Sequence, residues 1–354
     1  MTLTTVSAAN QVKQWDSQFF REFIRENRFN RYQGTDSNAI IQLKEDLVKK
    51  PGDALTIPLV AALSGAGVTG NTLLEGSEEA VVDYGHRITI NCYRHAVAIP
   101  EWEEQKTAMA LRSEFKPLLK QWAMEKYRGM VLTGMGAVFD GTNYVALGSA
   151  TEGNKDGWVT NNSDRILFGA AKGNLVTSDH SASLLNVDAT NDKMTKEIVS
   201  LMKRMAKLAD PIVRPYRVNG DEEWYVMFAG SLAFRDLKTS LGTTHTNAME
   251  RGKSNPLFTD GDLVWDGVII RETPEIASIG AVGAASAVVA PLYLCGAQAL
   301  GSVWGKRWAT HTEERDYGFV RGCEIRGFMG VEKLFFNNKQ HGMVTGYVAT
   351  AAGA

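Results

Sequence analysis

The sequence predicts an α+β fold, and three observations lead to this class. Strand-like runs come in clusters rather than in regular alternation with helices, which argues against a parallel α/β sheet. One long helical pattern, over 101–135, follows a segment that is typical of a two-stranded arm. Glycine is abundant, with 34 residues, and proline is scarce, with 9, which suggests many turns between strands. A chain of 354 residues can bury a large core in two or three sub-domains.

Composition and charge argue against several classes of protein. The formal net charge is −2 and the chain is 44% apolar, so nothing concentrates the lysine and arginine that tight nucleic-acid binding needs. Cys92, Cys295 and Cys323 lack metal-ligand spacing, and an odd count without a signal peptide suggests a reducing compartment. The most apolar window, 279–300, is rich in glycine and alanine and contains Pro291, so no membrane span is predicted. We expect a soluble protein of the cytoplasm.

The N-terminal region, residues 1–50, combines charge with aromatic side chains. Positions 12, 15, 19, 20 and 23 fit one face of a predicted helix. A helix that short is stable only when its apolar face packs on another surface. A second short helix is predicted over 39–49, where Pro51 and Gly52 stop it.

Residues 53–99 are predicted to form the two-stranded arm. Its first strand covers 54–63, and Pro58 within it fits an edge strand better than a central one. Its second strand covers 84–99 and alternates apolar with polar residues. Both faces carry apolar residues, namely Leu55, Ile57, Leu59, Val60, Ile88 and Ile90. Because a lone hairpin of this length is marginal in water, we expect another molecule to cover it.

Periodicity predicts the remaining elements. The long helix contains Pro117, so either it kinks there or a new helix begins with Pro117 in its first turn. Residues 136–192 are predicted to be loops and short strands. A helix with a solvated basic face is predicted over 194–208. Further strands are predicted at 224–228, 264–271, 287–294, 322–336 and 343–349, and further helices at 231–237 and 296–305.

Gly65-Ala-Gly-Val-Thr-Gly70 matches the G-x-G-x-x-G pattern of a dinucleotide-binding turn. The motif follows an apolar strand, and Asp83 lies close to where a ribose-binding acid would be expected. This chemistry needs a helix that starts at the last glycine and holds the pyrophosphate on its N-terminal dipole. Only residues 71–79 are available for that helix, and Gly76 interrupts them. We favour a flexible loop and keep a nucleotide-binding oxidoreductase that uses residues 65–70 as the alternative function.

No other motif has the pattern of a reactive site. Gly252-Lys-Ser254 lacks the first glycine of a P-loop, because Asn247 occupies that position. Ser178, Asp179 and His180 are adjacent in a loop, whereas a catalytic triad is a spatial arrangement. We therefore predict no catalytic residue, no cofactor and no metal ion.

The second half of the chain resembles one known family. Two stretches are similar to the signature of tailed-bacteriophage major capsid proteins: Asn247-Ala-Met-Glu-Arg-Gly-Lys-Ser-Asn-Pro-Leu-Phe258 and Trp265-Asp-Gly-Val-Ile-Ile-Arg-Glu-Thr-Pro274. Shorter similar stretches lie at 224–228, 235–237, 294–300, 304–306, 316–318, 330–333, 336–338 and 342–344. The resemblance runs from about residue 20 to the end and is densest after about residue 220.

This resemblance implies the Johnson, or Hong-Kong-97-like, coat fold. It assigns 1–52 to an N-arm, 53–99 to an extended hairpin called the E-loop, and 100–209 to a peripheral domain. That domain would contain the spine helix and a loop-rich insertion at 136–192. Residues 210–320 would form the axial domain, and 321–354 would be C-terminal strands that return to the peripheral domain.

The resemblance also implies a structural role rather than an enzymatic one. Such a major capsid protein assembles in the host cytoplasm, through hexameric and pentameric capsomers, into the icosahedral head of the virion around packaged double-stranded DNA. Expected partners are other copies, a separate scaffolding protein, a portal, decoration proteins and the DNA, which it contacts non-specifically; no membrane is expected. Residues 51–86 contain no lysine, so the covalent cross-link that some members form through an E-loop lysine is not expected. A separate scaffold is expected because only about 50 residues precede the E-loop.

Two segments are expected to contact neighbouring copies. The residues at the E-loop tip are Gly65, Gly67, Leu73, Leu74, Glu75, Glu78 and Glu79. The residues on the N-arm are Trp15, Phe19, Phe20 and Phe23.

Overall fold

The computed structural model of the chain is an α+β structure that describes residues 27–49, 51–71, 73–106, 111–142, 144–218, 222–242 and 263–350. The helix expected on the N-arm, with Trp15, Phe19, Phe20 and Phe23, lies outside the described residues. The signature stretch at 247–258 lies outside them as well.

Helices and strands alternate irregularly along the described residues. The helices are α1 Asp46–Lys49, α2 Glu101–Gln105, α3 Leu111–Gly136, α4 Glu152–Asn161, α5 His180–Leu185, α6 Lys196–Leu208 and α7 Ser231–Ser240. The strands are β1 Gln33–Gly34, β2 Ile41–Lys44, β3 Ala54–Val60, β4 Asp83–Thr89, β5 Asn91–Pro100, β6 Val138–Phe139, β7 Tyr144–Val145, β8 Ile166–Phe168, β9 Tyr216–Val218, β10 Glu222–Ala229, β11 Leu263–Trp265, β12 Val268–Glu272, β13 Val288–Cys295, β14 Leu300–Arg315, β15 Val320–Lys333, β16 Phe335–Phe336, β17 Lys339–Gln340 and β18 Met343–Thr350. Among these described helices, none has the length and apolar content that a membrane crossing requires.

The chain divides into two compact units. The first contains the described residues of Met1–Arg28, Cys92–Tyr127 and Arg307–Phe328, and the second those of Phe29–Asn91, Arg128–Lys306 and Met329–Ala354. Helix α3 and strands β14 and β15 contribute residues to both units. The division into N-arm, E-loop, peripheral domain, axial domain and returning strands stays a prediction.

A seven-stranded mixed sheet forms the centre of the second unit. Its strand order is β11-β12-β10-β13-β18-β8, and β9 pairs with β10. Strand β12 is parallel to β10 and β8 is parallel to β18, while the other neighbours are antiparallel. Helices α6 and α7 pack on this sheet. Ile198, Met202 and Met205 recur at helical spacing on α6 and are buried in one cluster with Leu292 and Val344 of the sheet.

Residues 136–192 are more regular than the sequence analysis expected, because they include α4, α5 and β8. Glycine and asparagine weaken the helical signal of α4. The helix is stabilised instead by a capping box between Thr151 and Asn154 and by the burial of Trp158. Trp158 shares a core cluster with Phe168 and Tyr347, whose rings stack with centroids 5.1 Å apart. Tertiary packing therefore overrides weak local propensity in this segment.

The sheet of the first unit contains β5 and the described parts of β14 and β15 that lie in this unit, in the order β14-β15-β5. The N-terminal part of α3 covers one face, where Phe115, Leu119 and Ala123 pack with Cys323 and Ile325. On β5 the side chains alternate between this covered face and an open face, as the period of a strand requires. The open face carries Ala96 and Ala98, which are exposed.

Strands β3 and β4 form an antiparallel hairpin in the second unit, within the segment predicted to be the E-loop. Its antiparallel register pairs Leu55 with Ile88 and Ile57 with His86. The expectation of uncovered apolar residues on both faces was wrong. Leu55, Ile57, Leu59, Tyr84 and Ile88 lie on one face, which packs on the chain's own Val303, Leu334 and Phe336. Only Val60 of the named apolar strand residues is largely exposed, so the base of the hairpin is seated on its own subunit.

Several other elements differ from their sequence-based assignment. Residues 39–49 contain strand β2 and a single helical turn rather than one helix. The helix expected over 296–305 is the beginning of the long strand β14, which pairs in parallel with β2 through Leu300 and Ile41. Pro117 lies inside α3, so a new helix does not begin there. The expected helix at 194–208 and the strands at 224–228 and 343–349 are confirmed by α6, β10 and β18.

Candidate inter-subunit contact surfaces

The hairpin tip, residues 61–82, has no helix or strand among its described residues and is shaped by two glutamates. Glu79 accepts hydrogen bonds from the backbone nitrogens of Ser64 and Gly65, each at 2.7 Å. The bond from Ser64 and then the bond from Gly65 hold the pKa of the Glu79 carboxyl below its usual range. Glu78 accepts a hydrogen bond from the backbone nitrogen of Gly76 at 2.8 Å. Both side chains therefore fold the tip back on itself.

The glycine motif in this tip does not form a phosphate cradle. Gly67 and Gly70 both have φ of 68°, a left-handed conformation that suits a turn. No helix follows Gly70 within the described part of residues 71–82. The backbone nitrogens of Ser64 and Gly65, at the start of the motif, bind the Glu79 carboxylate. The alternative function of a nucleotide-binding oxidoreductase is therefore wrong.

The surface of the tip is apolar and acidic. Leu73 and Leu74 are 79% and 61% exposed, and Leu63, Val81 and Val82 are exposed as well. Residues 51–86 contain five acidic residues and neither lysine nor arginine, the acids being Asp53, Glu75, Glu78, Glu79 and Asp83. Exposed leucines beside uncompensated negative charge are typical of a surface that binds a basic, partly apolar partner.

A surface with the complementary composition lies on α3 in the first unit. We define the outer face of α3 as Lys116, Lys120 and Met124, all of which are exposed. Lys116, Lys120 and Met124 follow one another at four-residue spacing and form a ridge along the helix. Met124 is 38% exposed, whereas Leu118, which is 45% exposed, lies on the other side of the buried stripe. The outer face therefore offers two positive charges together with one apolar side chain.

The hairpin is fastened to its own subunit by Glu332. One carboxylate oxygen lies 3.3 Å from His86 Nε2, and the other accepts a hydrogen bond from the backbone nitrogen of Thr89 at 3.4 Å. The His86 ring also packs near Tyr144 and Phe335, with centroids 6.0 and 6.3 Å away. These contacts fix the direction in which β4 leaves the core, and with it the position of the tip.

The remaining motif residues have structural roles. Asp179 caps α5 by accepting a hydrogen bond from the backbone nitrogen of Ala182 at 2.8 Å. His180 is buried against Trp158 and Tyr347, and burial lowers its pKa to about 4. Glu152, Asp156 and Asp179 lie close together because their carboxylates all accept backbone nitrogens at the start of α5. The histidine is a packed core residue and not a catalytic base.

The tip residues could be named from the sequence, whereas the outer face of α3 was not predicted. A signal was present in the four-residue spacing of Lys116, Lys120 and Met124, which places a basic ridge beside the buried stripe of Phe115, Leu119 and Ala123. Exposed lysines on a helix are common, however, and their significance appears only beside the acidic tip.

Comparison with known proteins places the chain in a family. The profile of the phage capsid protein family matches residues 3–352. The major capsid protein of Pseudomonas phage KPP25 is 28% identical over 365 aligned positions, which cover 95% of this chain and 94% of that protein. The capsid structure of cyanophage Pam1 is 33% identical, with both chains fully covered and a TM-score of 0.91. The capsid of Ralstonia phage GP4 is 22% identical, again over both full chains, with a TM-score of 0.76.

These matches extend over almost the entire chain and confirm the coat fold that the sequence resemblance implied. The chain therefore belongs to the phage capsid protein family, and it is a major capsid protein that forms the phage head.

Proposed function

We propose that copies of this chain assemble through hexameric and pentameric capsomers into an icosahedral head that encloses packaged double-stranded DNA. Within this head, the hairpin tip of one copy lies on the outer face of α3 of a neighbouring copy. The observation that carries the contact is the complementarity of the two surfaces. The tip has exposed leucines and only negative charge, whereas the outer face of α3 has the exposed apolar side chain of Met124 and two lysines.

Burial of Leu73 and Leu74 supplies the affinity of the proposed contact. Removing one leucine side chain from water contributes about 1.5–3 kcal/mol, before the cost of ordering the tip. The pairs between Glu75 or Glu78 and Lys116 or Lys120 contribute mainly to orientation and to the rate of encounter. Each contact is weak alone, and repetition around a closed shell makes the assembly strong.

The other expected partners belong to the same proposal. We infer that the N-arm residues Trp15, Phe19, Phe20 and Phe23 contact neighbouring copies through their aromatic rings. A separate scaffolding protein guides assembly, a portal occupies one vertex, and decoration proteins bind the outside. Contact with DNA is non-specific and no membrane is involved, because the net charge of −2 gives no excess of basic residues. Assembly takes place in the host cytoplasm.

Deletion of residues 64–79 tests the role of the tip. We expect a folded subunit that builds no shells, because the deletion removes the contact surface and leaves the packed base of the hairpin intact. Circular dichroism and thermal unfolding report the fold, and electron microscopy reports the shells. Shells of normal size and yield from this variant would contradict the proposal.

Charge reversal tests where the tip binds. The variant Lys116→Glu with Lys120→Glu is expected to lower shell yield about tenfold or more, because like charges then face each other. Adding Glu75→Lys and Glu78→Lys to the same chain is expected to restore shells, since the pairs form again with reversed sign. Lys172→Glu with Lys238→Glu is the matched control, because it changes two exposed lysines away from α3. If the fourfold variant does not regain its shell yield, the result would refute this docking site.

A further inference from the structure

The turn between β14 and β15 carries one aromatic side chain that is fully exposed on a left-handed backbone. Tyr317 is fully exposed, with a relative accessibility of 110%. Asp316 and Tyr317 both have φ of 52°, a left-handed conformation that is rare for a bulky residue and that glycine adopts without strain. A strained residue that buries nothing in its own subunit suggests a function outside the subunit.

The turn holds this ring on a firm base. The backbone nitrogens of Gly318 and Phe319 donate to the carbonyl oxygens of Arg315 and Asp316 at 3.2 and 3.0 Å. The carbonyl oxygen of Phe319 in turn accepts a hydrogen bond from the backbone nitrogen of Glu101 at 2.8 Å, which ties the turn to the start of α2. The backbone that carries Tyr317 is therefore held in place, and an exposed aromatic ring is the kind of side chain that often dominates interface energies.

A groove of suitable size lies on the open face of the sheet in the same unit. Its volume is about 180 Å³, and we call the small residues of its lining, Ala96, Ala98 and Gly322, the floor. The polar residues His311, Glu313, Arg315 and Glu324 also line the groove. An enclosed cavity of about 150 Å³ accommodates benzene, so the groove can hold one aromatic ring. A lining that combines small apolar and polar residues suits a tyrosine, whose hydroxyl group needs a partner.

We propose that Tyr317 of one copy inserts its ring into the groove formed by Ala96, Ala98 and Gly322 of a neighbouring copy. The occupant is a second copy because this protein forms the phage head, in which each subunit is surrounded by like subunits. The two surfaces differ, so one copy can offer its tyrosine to one neighbour and its groove to another, as repeated contacts in a closed shell require. The proposal rests on the shell of like copies and not on the contact between the hairpin tip and α3.

The variant Tyr317→Gly separates this role from a structural one. We expect its subunit to unfold at a higher temperature, because glycine adopts the left-handed conformation without strain. We expect the protein concentration needed for shell assembly, measured by light scattering, to rise about tenfold, because the ring is lost. Tyr317→Asn should behave in the same way, and Tyr317→Phe should assemble almost normally. Unchanged assembly of the glycine and asparagine variants would overturn the proposal.

A mixing experiment tests the groove. The variant Ala98→Leu fills the groove from its exposed floor and is expected to assemble as poorly as Tyr317→Gly. A mixture of the two variants should assemble better than either alone, because the intact tyrosine of one fits the intact groove of the other. Normal assembly of Ala98→Leu, or a mixture no better than its components, would rule out this pairing. The Lys116 and Lys120 variants change neither Tyr317 nor the groove. Their results therefore test only the contact between the hairpin tip and α3, and the Tyr317 and Ala98 variants test only the contact between Tyr317 and the groove.

Discussion

Replacing Gly330 with alanine is expected to lower the free energy of unfolding of the subunit by about 3 kcal/mol and to reduce shell yield. A Cβ atom at this position on β15 would press into the carbonyl oxygen of Thr89 and would lie 3.2 Å from the Ile88 side chain. A backbone oxygen cannot rotate away as the end of a flexible side chain can. The end of β4 must shift, and Ile88 then leaves its fully buried position.

The effect on assembly follows from the position of this clash. Thr89 and Ile88 lie at the base of the hairpin, about 20 Å or more of chain from its tip, so a small shift at the base becomes a larger displacement at the tip. Chemical denaturation of the subunit measures the loss of stability, and electron microscopy measures the shells. Gly129→Ala is the matched control, because nothing lies within 4 Å of the Cβ position there and alanine favours the helix. Equal stability of the two variants would contradict the explanation.

The hairpin combines a fixed base with a free tip. At the base, Ile88, Leu55 and Ile57 pack on the core, and Glu332 contacts His86 and accepts a hydrogen bond from Thr89. At the tip, the described backbone is held by local bonds, such as those to Glu78 and Glu79, and the leucines face solvent. A protein that must reach a neighbour needs both properties. A loose base would spread the tip over many positions and raise the entropy cost of binding.

Strong periodicity made some elements predictable from the sequence. The buried stripe of α6 and the alternating pattern of β18 are visible without a structure, and the structure confirms both elements. The first part of β14 was mistaken for a helix because its residues are small. Gly301 is small for a tertiary reason, since a side chain there would collide with Ile88 and Leu334. Only the folded packing of the hairpin base explains that choice of residue.

Among the contact surfaces, too, some features could be predicted from the sequence and others depend on tertiary packing. The tip was predictable because Leu73, Leu74 and three glutamates surround glycines in a segment that has no core of its own. The covered face of the hairpin was not, because Val303, Leu334 and Phe336 reach it from more than 200 residues away along the chain. Tyr317 also escaped notice. Its exposure and its left-handed backbone become visible only when the turn between β14 and β15 is built.

A buried lysine gives the second large prediction. Lys333 is 1% exposed, and its Nζ donates to Oε1 of Gln340 at 3.2 Å. The amine lies over the rings of Trp158 and Phe335, at 5.4 and 5.6 Å from their centroids. Burial lowers the pKa of Lys333 from its ordinary value of 10.5 to about 7, an effect that the nearby Cys295 partly opposes.

This pKa makes the stability of the subunit depend on pH. Between about pH 7 and 10.5 the unfolded chain holds a proton on this lysine that the folded chain lacks, so stability rises with pH across that window. Below about pH 7 both states carry the proton, and the full cost of burying the charge is present. At about 1.4 kcal/mol per pKa unit, this cost is on the order of 5 kcal/mol.

Lys333→Met is therefore expected to stabilise the subunit at low pH and not at high pH. Methionine fits beside the two rings and carries no charge, whereas the lost hydrogen bond to Gln340 costs about 1 kcal/mol. We expect a gain of roughly 3 kcal/mol near pH 6 that falls to zero or slightly below as the pH approaches 10.5. Denaturation of both proteins across this range measures the difference, with the exposed Lys120→Met as control. A difference that does not change with pH would show that Lys333 keeps its proton in the folded subunit, and that the surrounding core solvates its charge.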